Sequence, residues 1–450
     1  MRVGYHSAMH FTDEQPFLDA AFDRYADDRP RLVYADFLDD SGEPERAELI
    51  RVQLALARLG EDDPRRPELS DRQAELLARN CAAWTAHLAG LVVSVDFRRG
   101  IPDSASVETA TFLARGAELF HRLRVRRVRL LDPAPVMAKL AASPLLANVR
   151  ELDLCSADLG TTGLAALVRS PHLKRLDALD LGFNGLDDAG VEVLARSVNL
   201  PDLTALALND NDRITGDGLR ALADSPFFAG LTALDVSGND IGETGVRAVV
   251  ASRSMARLRT FRANGNPIGD AGAAALANAP LIARMLKADS KLELRANAIG
   301  PTGAAALAAC PALDSCTALD LSGNYLGDAG VAALLRSPHL GQLKALRLAR
   351  NQLTDGGVTA ARDLFHALFD RVRVLDLSGN RLTRVGMSVL AALRGDRPVR
   401  VEVSGNVQSA PAGDAPVAVS DLVPGLLDGF TEAARLRRRV SNPRHRPDGT

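Results

Sequence analysis

The sequence is poor in cysteine and in aromatic residues. Its four cysteines are too few and too scattered along 450 residues for a disulfide framework or a zinc cluster. We therefore predict buried, reduced thiols for Cys81, Cys155, Cys310 and Cys316. Aromatic residues make up 4% of the chain, and strong protein interfaces usually depend on Trp and Tyr anchors.

Long apolar runs and a strong net charge are also missing. No apolar run approaches the ~18 residues that a membrane-spanning helix needs, and the N-terminus lacks the apolar core of a secretory signal. A formal net charge of −2 does not favour polyanion binding by the whole protein. These absences predict a soluble, cytoplasmic protein.

The standard catalytic and cofactor signatures do not occur in the chain. We find no GxxxxGK[ST], no GxGxxG that opens a helix, no HExxH and no GxSxG. His6 and His10 have the spacing of two metal ligands on a helix, but they fall in a terminus that we expect to be frayed. We predict no catalytic, cofactor-binding or metal-binding residues, and hence no enzyme and no cofactor.

One phrase recurs along most of the chain. Residues 319–330 read LDLSGNYLGDAG, and close copies begin at residues 179, 234 and 375. The copies align as LxxLxLxxNxLxxxGxxxL with steps of mostly 27 to 29 residues, and with one step of 31 residues between Phe261 and Leu292. A fixed period of this length predicts a repeat array.

Each conserved position of the phrase has a physical role. The LxL core alternates with period two, which predicts a short strand with its leucines facing inward. The Asn three residues later can donate and accept hydrogen bonds where the strand turns. The Gly that follows predicts a close approach of the next helix to the strand layer. Asparagine occupies this position at 184, 211, 239, 266, 297, 324, 351 and 380.

One strand and one helix per repeat predict an α/β solenoid. Parallel strands lie about 4.8 Å apart, whereas helices need about 10 Å. We therefore expect a horseshoe with the parallel sheet on its concave face and the helices on its convex face.

The frame and period resemble leucine-rich repeats of the ribonuclease-inhibitor type over roughly residues 120–406. The resemblance implies a curved solenoid that binds other proteins. Val128/Leu130 and Val95/Phe97 continue the pattern weakly at one end, and Val401/Val403 at the other. The resulting domain prediction comprises a disordered N-terminus (1–11), a helical domain (12–90), a cap with degenerate repeats (91–148), leucine-rich repeats (149–406), and a linker, capping helix and basic tail (407–450).

The helical N-terminal region has a second resemblance. Residues 27–56 (DDRPRLVYADFLDDSGEPERAELIRVQLAL) resemble the bacterial repeat-companion domain, a module that precedes repeat arrays. We expect Asp36, Arg46 and Glu48 to form an ion-pair network that joins its helices. For residues 95–120 we expect a strand, a Gly-Ile-Pro turn and a helix.

The residues between the strand leucines should face solvent on the concave side. Their small neighbours and central Asp residues predict a ladder of carboxylates, either as the consensus of the repeat or as part of a docking surface. Basic residues interrupt this ladder in the middle. The candidate partner-binding residues are Arg262, Lys291, Glu293, Arg295, Asp320, Arg347, Arg350 and Asp376.

Three functional hypotheses remain open from the sequence. The first is a non-enzymatic bacterial scaffold that binds a protein partner on the concave face. The second is an inhibitor or regulatory subunit that wraps a partner enzyme. The third is a GTPase-activating protein, because the Ran GTPase activator resembles the same repeat type. No membrane partner is expected, and the basic C-terminal tail lacks the interleaved aromatics that bind nucleic-acid bases.

Overall fold

The repeats form two parallel sheets covered on one side by helices. The computed structural model describes residues 11–60 and 63–406. The predicted disordered terminus up to residue 10, His6, His10 and everything predicted beyond residue 406 lie outside these ranges. Within the described residues, no helix is both long and apolar enough to cross a membrane.

Thirteen strands lie within the described residues. β1 to β8 form one sheet in chain order, and β9 to β13 form a second sheet. The strands are β1 Ser94–Arg98, β2 Ile101–Glu108, β3 Arg127–Leu131, β4 Glu151–Asp153, β5 Ala178–Asp180, β6 Ala205–Ala207, β7 Ala233–Asp235, β8 Thr260–Arg262, β9 Lys291–Glu293, β10 Ala318–Asp320, β11 Ala345–Arg347, β12 Val374–Asp376 and β13 Arg400–Glu402.

Helices follow almost every strand and pack on one side of the sheets. The helices are α1 Phe11–Asp23, α2 Arg29–Asp40, α3 Pro44–Arg58, α4 Arg66–Trp84, α5 Thr109–Arg122, α6 Met137–Ala141, α7 Gly160–Val168, α8 Asp188–Ala195, α9 Gly216–Asp224, α10 Gly242–Ala251, α11 Gly269–Ala277, α12 Pro280–Ala288, α13 Pro301–Ala308, α14 Gly327–Leu335, α15 Asp355–Ala360, α16 Arg362–Phe369 and α17 Arg384–Arg394.

The strand leucines form the core between the two layers, as predicted. Leu179 and Leu181 are at most 2% exposed, and Leu319 and Leu321 are fully buried. Full burial of such a side chain is worth roughly 1.5–3 kcal/mol. The outward residues between them, such as Asp180, remain partly exposed. The alternation therefore sets one face of each strand toward the helices and leaves the other open, and we call the open face the strand face.

The N-terminal cap differs from its prediction. Arg99 and Gly100 adopt positive φ angles of 51° and 81°, and they join β1 to β2 as an antiparallel hairpin. The predicted Gly-Ile-Pro turn is wrong, because Ile101 and Pro102 begin β2. The strand that pairs in parallel with β3 is β2, so the pattern continues through Ala105 and Val107 rather than through Val95 and Phe97.

Asparagine side chains connect one repeat to the next. The Asn184 Oδ1 accepts the amides of Ala157 and Leu159 at 3.2 and 3.1 Å. Its Nδ2 donates to the carbonyls of Leu154 and Gly182 at 2.9 and 3.0 Å. Four buried backbone groups are thereby satisfied by one side chain, which is costly to lose.

Aspartates at the start of the helices form a second connection between repeats. Asp328 accepts the amide and the hydroxyl of Thr354 at 2.8 and 2.7 Å. A Cβ on Gly357 would lie 2.2 Å from the Asp328 Oδ1. The repeated Gly therefore makes room for the aspartate of the preceding repeat, and the predicted approach to the strand layer is wrong at this position.

The sheet breaks where the repeat step is 31 residues. Between β8 and β9 the chain inserts α12, whose Leu281, Ile282, Met285 and Leu286 are buried. In regular junctions the second strand leucine donates to the next repeat, as Leu294 does to Asp320 at 2.9 Å. No such bond joins Ala263 to Glu293 among the described residues. We call this junction the seam.

Asn297 lacks hydrogen bonds that the other asparagines make, because it lies at the seam. Its Oδ1 is buried and has no hydrogen-bond partner within the described residues, and its Nδ2 makes one bond, to the Arg295 carbonyl at 3.1 Å. Ile268, which would donate to Asn297 in a regular junction, bonds the Asn266 carbonyl instead. The strand pairing is thus interrupted at the seam, whereas Gly265 and Gly269 still donate to the carbonyls of Arg295 and Asn297 at 2.8 and 3.0 Å, and Asp270 accepts the amides of Gly300 and Gly303 at 2.6 and 2.8 Å.

Candidate functional site

The aspartates that lie between the two leucines of each strand motif have a structural role. The Oδ1 of Asp235 accepts the amide of Ser237 at 3.0 Å, and Asp376 accepts that of Ser378 at 2.9 Å. Asp180 and Asp320 make the same bond to the residue two positions on. Such a bond satisfies the backbone where the strand ends. This geometry accounts for the recurring Asp without requiring a partner.

The middle of the predicted docking surface pairs its own charges. Arg295 forms ion pairs with Asp320 at 2.7 Å and with Glu293 at 3.5 Å. Asp320 is only 3% exposed, so the prediction that it faces solvent is wrong. Its burial follows from the Arg295 side chain that lies against it. Lys291 also interacts within the protein.

Three predicted arginines have no such partner. Arg262 and Arg350 are exposed and Arg347 is half-buried. None of the three side chains makes a hydrogen bond or ion pair with the described residues. Arg350 also has a φ of 54°, the left-handed region that a non-glycine residue adopts at a cost of roughly 1–2 kcal/mol. These three arginines are available to an external partner.

The strand face of the first sheet contains a shallow groove of about 260 Å³. Ala178, Ala205, Ala207 and Ala233 form its floor, and Arg262 lies at its border. The sequence predicted this smooth floor. The groove is open to solvent and does not enclose a small molecule.

Phe183 is an exposed aromatic residue that the sequence analysis missed. Its side chain is 49% exposed, and its φ of 56° is in the left-handed region. The corresponding position holds glycine at 238, 323 and 379. The position also holds Asp210, Ala296 and Arg350, and a bulky aromatic residue at a position of small or polar residues is the signal that would have identified it.

The N-terminal helices hold a buried polar cluster. The Tyr34 hydroxyl donates to the Glu14 Oε2 at 2.6 Å, and Arg46 pairs with Glu14 at 3.1 Å. Burial is the main cause that raises the pKa of Tyr34 above its usual range. The cluster joins α1, α2 and α3, which gives it a role in packing.

The predicted network of Asp36, Arg46 and Glu48 is wrong. Arg46 binds Glu14, whereas Asp36 pairs with Arg51 at 2.8 Å and Glu48 with Arg72 at 2.7 Å. All three residues join helices, as expected, but through different partners. The residues that form ion pairs were therefore predicted correctly, but their partners were not.

The described cysteines offer no activated nucleophile. Cys310 and Cys316 are buried as predicted, whereas Cys81 and Cys155 are only partly buried. Burial raises the pKa of the Cys316 thiol to about 11, and it also raises the pKa of Cys155. Within residues 11–60 and 63–406, no group of three or more His, Cys, Asp or Glu could hold a metal ion.

Comparison with known proteins identifies the repeat type. A family model described as a leucine rich repeat matches residues 169–195, 199–223, 231–250, 317–335, 343–360 and 372–391. No curated protein matches the chain. Among solved structures, the chain is similar to an internalin from Listeria monocytogenes with 19% identity, a TM-score of 0.40, and coverage of 72% of this chain and 88% of that chain.

The family matches leave a gap between residues 250 and 317. This gap contains β8, β9 and the inserted α12. The family model therefore matches segments on both sides of the seam.

Proposed function

We propose that this chain is a non-enzymatic scaffold that binds a protein partner on its strand face. The observation that carries the proposal is the set of three arginines, Arg262, Arg347 and Arg350, that have no partner within the described residues. Charged side chains that are complementary to a partner speed up association and select the partner. The open groove supports a macromolecular ligand rather than an enclosed small one.

The eight candidate residues take different roles in this proposal. Arg262, Arg347, Arg350 and Asp376 contact the partner directly. Glu293, Arg295 and Asp320 form an internal ion-pair cluster that holds the surface in shape, and Lys291 lies beside it. A reversal of Arg295 would therefore disturb the fold as well as the binding.

The test is a matched pair of charge reversals in the full chain. Affinity purification from the native host with mass spectrometry identifies the partner, and its affinity is then measured with purified proteins. We expect Arg262→Glu, Arg347→Glu and Arg350→Glu together to weaken binding by roughly 3-fold to 150-fold, because three ion pairs are each worth roughly 0.2–1 kcal/mol.

The control makes the same change of net charge elsewhere. Arg169, Arg257 and Arg336 are exposed, form no ion pair with the described residues and lie after convex helices. Their combined reversal to Glu should leave affinity nearly unchanged. An unchanged affinity of the strand-face variant, or an equal loss in both variants, would overturn the proposal.

The identity of the captured partner also distinguishes the inhibitor and GTPase-activating hypotheses from a neutral scaffold. We propose ribonuclease-inhibitor-type repeats, a repeat-companion module for the N-terminal helices and a cytoplasmic location, which cell fractionation tests. If the partner is an enzyme, silencing of its activity on addition of this chain would favour the inhibitor hypothesis over a neutral scaffold. Faster GTP hydrolysis by a captured GTPase would favour the third hypothesis.

A further inference from the structure

Five basic residues are concentrated on the last three strands of the second sheet. They lie directly before β11 and β12, at the start of β13, at the end of β11 and just beyond it. We call them the basic patch, and they are Lys344, Arg347, Arg350, Arg373 and Arg400. Lys344, Arg350, Arg373 and Arg400 are exposed and Arg347 is half-buried.

The strand register brings these cations close together. Ala345 lies opposite Val374, and Val374 lies opposite Arg400. Lys344 and Arg373, one residue earlier, are therefore neighbours on adjacent strands, which lie about 4.8 Å apart. Like charges on neighbouring strands are destabilising. Neither Lys344 nor Arg373 has an ion-pair partner among the described residues that would offset this cost.

The positive charges of the basic patch have few negative charges near them within the described residues. None of the five side chains makes a hydrogen bond or ion pair with the described residues. The carboxylates on the same strands are Asp376 and Glu402, and each binds a backbone amide through one oxygen. Five cations thus face two carboxylates that are already partly engaged.

The middle of the first sheet, at β5 to β7, has the opposite charge on its strand face. The segments that carry β5, β6 and β7 contribute Asp177, Asp180, Asp210 and Asp235 and no Lys or Arg at the outward positions. Asp177 has an ion-pair partner in Arg150 at 3.6 Å, and Asp180 also interacts within the protein. The strand face is therefore acidic at β5 to β7 and basic at β11 to β13, and an anionic ligand is attracted to the second of these regions and repelled by the first.

We infer that the basic patch binds an acidic polypeptide segment of a protein partner. This inference rests on the proposed function and names the chemistry of the partner. Arginine and lysine in an open array suit carboxylates on a flexible segment. Single-stranded nucleic acid is disfavoured because no aromatic side chain lies among the five residues for base stacking.

The test uses the full chain and a synthetic oligoglutamate peptide, with binding followed by fluorescence anisotropy. Peptide affinity should fall about tenfold in Lys344→Gln, Arg373→Gln and Arg400→Gln combined, because three exposed ion pairs are lost. The matched variant Arg169→Gln, Arg257→Gln and Arg336→Gln should bind like the wild type. Affinity should also fall as salt is raised, because exposed charges are screened beyond about 10 Å at 0.1 M salt.

Three outcomes would overturn the inference. They are no binding of oligoglutamate, equal losses in the patch and control variants, and tighter binding of an oligothymidylate of equal charge, which would indicate nucleic acid. The proposed function has a separate readout in the native partner. A partner that depends on Arg262 and Arg347 while oligoglutamate fails to bind would sink only this inference.

Discussion

The junction at the seam differs from the regular junction that follows it. Between the repeats of Asn297 and Asn324, one asparagine satisfies four backbone groups. Between those of Asn266 and Asn297, β8 and β9 do not pair, and the Oδ1 of Asn297 has no partner within the described residues. The same residue type at the same repeat position therefore has very different energetic weight.

This difference shows that the array is held together junction by junction. In a repeat stack, stability is approximately the sum of repeat terms and nearest-neighbour terms. At the seam the strand pairing and the bonds to the Asn297 Oδ1 are missing, whereas the bonds from Gly265 and Gly269 to the next repeat remain. The seam also separates the acidic strand face of β5 to β7 from the basic face of β11 to β13.

The largest expected effect on stability comes from the asparagines that connect neighbouring repeats. Asn324→Ala should lower the free energy of unfolding by about 4 kcal/mol, because it leaves four buried backbone groups without a partner. Asn297→Ala should cost about 1 kcal/mol or less, because it removes one bond and one unpaired buried oxygen. Urea denaturation of both variants measures the difference, and equal losses would contradict the distinction between the two junctions.

A smaller effect is expected from two adjacent glycines at a regular junction. Gly357→Ala should destabilise by about 2 kcal/mol, because its Cβ would press on Asp328, which Thr354 holds in place. Gly356→Ala should be neutral or slightly stabilising, since its Cβ would meet nothing nearer than 3.4 Å and alanine favours helix. Thermal denaturation compares the stability of the two variants. An unchanged stability of Gly357→Ala would refute the connection that Asp328 makes between repeats.

The smallest effect concerns the strand aspartates on the two sides of the seam. Asp320→Ala should cost about 2 kcal/mol, because it removes the bond to Ser322 and the ion pair with Arg295. Asp235→Ala should cost about 1 kcal/mol, because Asp235 accepts the amide of Ser237 and forms no ion pair with the described residues. The difference should shrink at high salt. Equal costs at all salt concentrations would remove the ion pair from the account.

The repeat frame was readable from the sequence because each position repeats its physical task. The strand leucines and the asparagines that connect neighbouring repeats were predicted correctly. The same frame could have added Asn406, three residues after Val403, whose Oδ1 accepts the Leu382 amide at 3.0 Å. The 31-residue step marked the place of the seam, but not that the sheet would break there.

Charge pairing was harder to predict than the fold. Arg295 and Arg347 both occupy outward positions of the repeat, yet Arg295 meets Asp320 and Arg347 has no partner within the described residues. Which cation is neutralised depends on side-chain direction across neighbouring strands, and a single sequence does not encode that direction as a pattern. The hairpin of β1 and β2 was missed for a similar reason, since Arg99 and Gly100 form the turn rather than the residues beside Pro102.

The most direct test of the account is a hydrogen-exchange footprint of the full chain with and without the captured partner. We predict slower exchange in the partner complex at β8 and at β11 to β13, with little change in the convex helices α13 and α14. Protection confined to the convex helices, with the strands unchanged, would contradict the claim that the strand face is the binding surface.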